Sequence, residues 1–193
     1  MSLTNPMGDH VITDPQAMRA LAHPVRLAVL SRLQQHGPAT ATQLAPHVGA
    51  SPSVTSWHLR HLEKHGLVQD WDGGTDRRQR WWQAKARGFR FDMPADDEGA
   101  SAARLLSNQM LEQNVQTLLH WMTDVEPRLD PEGLRMSGAA NTGLILTPDE
   151  VERIEQSIEE LLAPYVIRRD TDPPADGRKV RMLRYTLVEV DDA

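Results

Sequence analysis

Ser53, Ser56, Trp57 and Arg60 stand at the spacing that brings side chains to one face of a helix, three and four residues apart. Small hydroxyls let a helix approach the edges of bases closely. Arg60 adds a planar fork that fits guanine or a phosphate. Trp57 has two readings. It contacts a thymine methyl or a sugar, or it packs on the hairpin that follows. Downstream, Arg77, Arg78 and Arg80 crowd a Gly73-Gly74 tip and the strand returning from it, a cationic ribbon suited to phosphates or a minor groove. Thr40 and Thr42, at the start of the preceding helix, offer hydroxyl and backbone donors to a phosphate. His58, His61 and His65 share the helix at i, i+3 and i+7, so two of the three could hold a metal.

The elements that must position these groups follow from local pattern. Thr40 with Gln43 has capping-box spacing, and Leu44 and Val48 form a short buried stripe. Pro46 removes a donor from that helix and should bend or shorten it. Gly49-Ala50 makes the turn. Ser51 caps the next helix and Pro52 opens it, with Thr55, Leu59 and Leu62 as its core face and Gly66 as its stop. Strands are expected over Leu67 to Trp71 and Gln79 to Ala84. Neighbouring Trp81 and Trp82 must point to opposite sides of that strand, so one of them needs a partner outside the helices, in the C-terminal half or another subunit. Helix, turn, helix and Arg-tipped hairpin together make a winged helix-turn-helix. Its second helix (52–65) would lie in a major groove.

Before this unit, Asp14-Pro15 starts a helix and His23-Pro24 starts another, which carries Val25, Leu27, Leu30 and Leu33 and ends at Gly37-Pro38. After it, the acidic stretch from Pro94 to Gly99 reads as a linker. A helix from Ser101 to about Val125 follows, with Leu105, Leu106, Met110, Leu111, Val115, Leu118, Leu119 and Met122 recurring near 3.5 spacing. Leu105, Leu111, Leu118 and Met122 are the expected dimerisation positions. Gly143 to Leu146 and Val180 to Val190 read as strands on either side of a helix capped by Thr147 and faced by Val151, Ile154, Ile158, Leu161 and Leu162.

The expected fold class is mainly α with some β (α+β). It divides into a flexible tail (1–13), a winged helix-turn-helix domain (14–91), a linker with a long dimerisation helix (92–130), and a C-terminal strand-helix-strand layer for dimerisation or effector binding (131–193).

Composition narrows the function. The 193 residues are 39% hydrophobic, enough for a sizeable core, and include no cysteine, so neither disulfides nor thiolate metal sites enter. No apolar run is long enough to span a membrane and the first residues do not read as a secretory signal, so a soluble cytoplasmic protein is expected. The net charge of −6 conceals an asymmetry. Residues 1–91 hold eleven Lys/Arg against six Asp/Glu, a net of +5, whereas residues 92–193 hold ten against twenty-one, a net of −11. A basic half that meets phosphate, joined to an acidic half that does not, accounts for this. No P-loop, dinucleotide fingerprint or Ser-His-Asp order is present, so an enzyme is not expected and no cofactor is called for. Three readings stand: a regulator that binds double-stranded DNA, a sensor whose C-terminal half holds an apolar small-molecule effector, and a metal binder using His58, His61 and His65.

Leu21 to Leu30 (Leu-Ala-His-Pro-Val-Arg-Leu-Ala-Val-Leu), Thr42 to Ala45 (Thr-Gln-Leu-Ala), Ser51 to Leu62 and Gly66-Leu67-Val68 resemble the ArsR-type winged-helix repressors over about residues 14–86. The resemblance implies a cytoplasmic homodimer that represses transcription until a signal relieves it, with Ser53, Ser56, Trp57 and Arg60 reading the operator. Metal-sensing members carry a Cys pair that this chain lacks, or a second site of Asp and His on a C-terminal helix, where only His120 stands here. The resemblance therefore carries no metal function with it. The extension beyond residue 92 is longer than in the small metal sensors.

Overall fold

The structure, a computed structural model, describes residues 5–74 and 78–188, with the side chain of Asp170 excepted. It is helix-rich, with two small sheets. β1 (His10–Val11) is followed by α1 (Pro15–Leu21) and α2 (Pro24–His36). Asp14 caps α1 by accepting from the Gln16 amide, and His23 caps α2 through a ring nitrogen that accepts from Val25 N–H. Pro at the first position of each helix costs nothing there, because that amide has no partner inside the helix.

β2 (Ala39–Thr40) leads into α3 (Ala41–Val48) and α4 (Pro52–Lys64). The expected Thr40/Gln43 capping box forms in both directions, and Ser51 caps α4. α3 ends at Gly49, whose φ of 64° lies in the left-handed region open to glycine. Pro46 sits inside α3 and does not end it before Val48. The wing is β3 (Val68–Asp70) and β4 (Trp81–Ala84), paired antiparallel with Gln69 opposite Gln83. β2 pairs with the other edge of β4, Ala39 opposite Trp82, so β4 is the central strand of three.

β5 (Phe89–Arg90) pairs parallel with β1. The stretch read as a flexible tail is thus tied down at residues 10–12, and Ile12, only 2% exposed, enters the core. Met18, Leu21, Leu27, Leu30, Leu44, Leu59, Leu62 and Trp82 fill the rest of that core.

α5 (Asp97–His120) begins four residues before the expected start, inside the acidic stretch read as a linker. Asp96 is its cap, accepting from Gly99 N–H, and Asp97 and Glu98 lie in its first turn, where negative charge opposes the helix dipole favourably. Ala102, Ala103 and Leu106 are buried, with α5 lying along α1. Small side chains there let the two backbones approach. Met110 packs partly against the core, whereas Leu105, Leu111, Val115, Leu118, Leu119 and Met122 are all exposed.

The chain then runs through a π turn (Trp121–Val125), a 3-10 turn (Glu126–Arg128), α6 (Pro131–Arg135) and α7 (Pro148–Thr171). The capping box at Thr147 forms as expected. The two strands expected around α7 do not: residues 143–146 and 180–188 adopt no strand, while Glu189 and Val190 lie outside the described residues. Among the described residues neither segment pairs with a neighbour, and an unpaired strand leaves its backbone groups unsatisfied. The C-terminal part is held by ion pairs. Arg178 clasps Asp130 through two hydrogen bonds of 2.8 Å, which holds the Asp130 carboxyl down at about 2. Half-buried Arg90 joins Asp9 (3.5 Å) to Glu159 of α7 (3.0 Å).

Candidate nucleic-acid interface

α4 has one face sealed and one face open. Thr55, His58, Leu59 and Leu62 are buried, and Thr55 further anchors the helix start by donating its hydroxyl to the Ser51 carbonyl at 2.9 Å. Ser53, Trp57 and Arg60 are exposed and Ser56 is partly so, all on the opposite side. The structure therefore brings together the four residues expected to share an outward face. Trp57 is 53% exposed. Its ring meets His58 edge-on at 4.9 Å and stacks on His61 at 5.6 Å, which fixes its direction while leaving its surface accessible.

The other expected contacts divide. Thr42 is exposed on the first turn of α3. Thr40 is 3% exposed, its hydroxyl accepting from Gln43 N–H. Buried in the cap, the hydroxyl does not face outward as expected. Arg78 is exposed at the wing, and Arg77 lies outside the described residues.

Arg80 differs most from expectation. Its Nε donates to Asp70 at 2.5 Å, an Nη donates to Glu63 at 2.6 Å, and the guanidinium lies 3.9 Å over the Trp82 ring. It is a strut that ties the wing to α4. Its bonds to Asp70 hold that carboxyl below the usual range. Two carboxylates neutralise its charge, so it offers little to a phosphate. Sequence reading assigned Arg80 by its neighbours at the tip. The missed signal was the pair of acids, Glu63 and Asp70, that hairpin geometry returns to it.

Trp81 and Trp82 separate as expected. Trp82 points inward, 1% exposed, and Trp81 points to the other side. Within the chain it meets Trp71 across the hairpin, with ring centroids 5.5 Å apart. Gly74 lies against the same ring. A Cβ there would fall 2.2 Å from Trp81 Cδ1, so only glycine fits that approach.

His58 is 4% exposed, and its Nδ1 is buried without a hydrogen-bond partner. Burial, followed by the charges of His23, Arg26 and His61, pushes its pKa below the ordinary 6.5. Burial also lowers His23, His61 and His65. The folded protein thus binds fewer protons at these rings than the unfolded chain. Their contribution to stability is complete above about 6.5 and is lost as pH falls through the depressed folded values. Thermal melts followed by circular dichroism should show a lower melting temperature at about pH 5 than at about pH 7, with a shallower dependence in His58→Gln. Equal slopes for the two proteins would locate the acid sensitivity elsewhere. Among the described residues no three metal-ligating side chains gather into a site, His58, His61 and His65 included.

Residues 21–69 match the family model described as a helix-turn-helix domain, which spans α2 to β3. Among solved structures, a possible transcriptional regulator for arsenical resistance is 28% identical, with 53% of this chain and 92% of that one covered, at a TM-score of 0.31. A transcriptional regulator homologue from Pyrococcus horikoshii OT3 is 23% identical (53% and 93% covered, TM-score 0.32). NMB1585, a MarR family regulator from Neisseria meningitidis, is 16% identical (73% and 79% covered, TM-score 0.32). At these TM-scores the superpositions carry no functional argument. No curated protein sequence matches the chain significantly. No helix among the described residues is long and apolar enough to cross a membrane.

Proposed function

We propose that this chain is a sequence-specific DNA-binding transcriptional regulator of the winged helix-turn-helix kind, working in the cytoplasm as a homodimer and, by its resemblance to ArsR-type proteins, as a repressor. One observation carries the reading. Within a segment that matches a helix-turn-helix domain, α4 is clamped by its buried face and presents Ser53, Trp57 and Arg60 outward. Small hydroxyls with one bidentate cation are what base edges in a major groove require. Arg78 and Arg77 at the wing supply backbone or minor-groove contacts, and Thr42 supplies a phosphate contact. Arg80 sets the wing's angle. The exposed apolar stripe on α5, including Leu105, Leu111, Leu118 and Met122, joins two copies and sets two α4 helices about one helical turn apart on a roughly palindromic site. Catalysis forms no part of this reading, and neither does a metal or cofactor.

Selection of bound genomic fragments, followed by anisotropy titrations against salt, tests it. Affinity should fall steeply as salt rises, because Arg and Lys release counterions from phosphates. A flat salt response sinks the reading. Within the same series, Arg60→Ala should cost about 1–3 kcal/mol and relax preference at one base pair, whereas Arg78→Ala should weaken all sequences alike. A uniform loss in both would make Arg60 a phosphate contact.

A second reading keeps the sensor function. Leu146, Ile154, Ile158 and Leu161 line an open groove of about 530 Å³ along α7, where an apolar effector would sit. Ligand-dependent thermal stabilisation of the full chain would favour it.

A further inference from the structure

A cleft of about 350 Å³ opens between α1, the start of α2 and the C-terminal half of α4. Gln16, Arg19, Arg26, His61, Lys64 and His65 line it. With Ala20 they make seven lining residues, of which five carry or can accept a positive charge and none is acidic. Two carboxylates stand at the margin: Glu98 takes Arg19 at 2.9 Å, and Asp14 acts on His65. His23, the cap of α2, and His58 of α4 add further imidazoles behind His61, the two rings lying 4.8 Å apart. Arg26 cannot swing away freely, since its Nε donates to the Ala20 carbonyl. His61 and His65 are held ring to ring at 5.2 Å, continuing the Trp57–His61 stack along α4. Lys64 stands seven and eleven residues after Trp57 and Ser53, on the line of the outward face. The cleft is therefore continuous with that face.

We propose that this cleft binds phosphate, and that its phosphate comes from the DNA backbone beside the groove that α4 reads, an inference that rests on the DNA-binding reading above. Crowded cations, offset only in part by Glu98 and Asp14 at the margin, repel protons. Burial comes first, then Arg26, His65, Lys64 and His23 keep His61 below its ordinary value; burial does the same for His65, with Asp14 opposing. A phosphate placed among them reverses the sign of the local field. Each imidazole then takes a proton from solution and donates from both nitrogens. DNA affinity is consequently enhanced at low pH, and the enhancement is lost as pH rises through the phosphate-bound pKa of these rings. Acid thus tightens DNA binding while it loosens the fold.

The full chain and a mixed-sequence duplex at low salt provide the test, by anisotropy at about pH 6 and about pH 8, both within the range where melts show a folded protein. Wild type should bind roughly tenfold more tightly at the lower pH. The double variant His61→Gln, His65→Gln should gain less than about twofold between the higher and the lower pH, whatever its affinity at the higher. An undiminished pH gain in the double variant, with duplex binding intact, overturns the cleft and leaves the DNA reading standing. Absence of duplex binding by wild type at either pH sinks the DNA reading instead. The histidine proton resonances then decide the cleft in inorganic phosphate alone: a shift of His61 and His65 assigns it to a free phosphate compound, and no shift overturns it. Should the double variant fold poorly, exposed Lys64→Gln replaces it. The salt slope should then fall by about one, and an unchanged slope counts against the cleft.

Discussion

Trp82→Ala should cost about 3–5 kcal/mol of folding stability, the loss expected when a large aromatic leaves a packed interior. Trp82 is 1% exposed and sits on β4, between β2 and β3. Its indole joins the cluster built from α1, α2 and α4, and its upper face supports the Arg80 guanidinium at 3.9 Å. Truncation therefore leaves a cavity under the helices and also frees the strut that joins wing to α4. Denaturant unfolding followed by far-ultraviolet circular dichroism measures the loss without relying on the fluorophore being removed. Trp57→Ala is the matched control: at 53% exposure it should change stability by no more than about 0.5 kcal/mol. A loss below about 1 kcal/mol for Trp82→Ala would mean that β4 unfolds separately from the helices.

Leu111→Asp should split the proposed dimer with little damage to the protomer. Leu111 is 48% exposed, on the side of α5 away from buried Ala102, Ala103 and Leu106. Val115, Leu118, Leu119 and Met122 continue that side over three turns, all 44–52% exposed. A stripe of this extent on a helix is the seam geometry by which helices associate. In a two-fold dimer the substitution buries two unpaired carboxylates, so the dissociation constant should rise roughly a hundredfold or more. Light scattering over a range of concentrations, with a melt to verify folding, reads the result. An unchanged mass would place the interface elsewhere. In the proposed complex DNA affinity should fall as the dimer is lost, since one α4 alone engages only half a site.

The helix-turn-helix unit was legible in the sequence because its signals are local. Ser51-Pro52 marks a helix start within two residues, Thr55, Leu59 and Leu62 give the buried side, and Gly66 gives the stop; α4 forms between those marks. Thr147 and Glu150 announced α7 in the same way. Pairings between distant residues left no such trace. β1 and β5 are two residues each and lie about eighty positions apart, too short for any alternation to show. The segments 143–146 and 180–188 show the converse. Their β-branched and apolar composition suits a strand, yet strand formation needs a neighbour that composition does not supply. The site followed the same division. Outward positions on α4 followed from helical periodicity, whereas the role of Arg80 depended on two carboxylates, Asp70 of the wing and Glu63 of α4, and that of Thr40 on its burial in the helix cap.

The paired indoles of Trp71 and Trp81 give the wing an optical signature of its own. Two such chromophores at 5.5 Å couple their excited states and generate a split circular-dichroism band, whose amplitude depends on their mutual angle. Opening or twisting of the hairpin would therefore be visible spectroscopically, without an attached label, as nucleic acid is added.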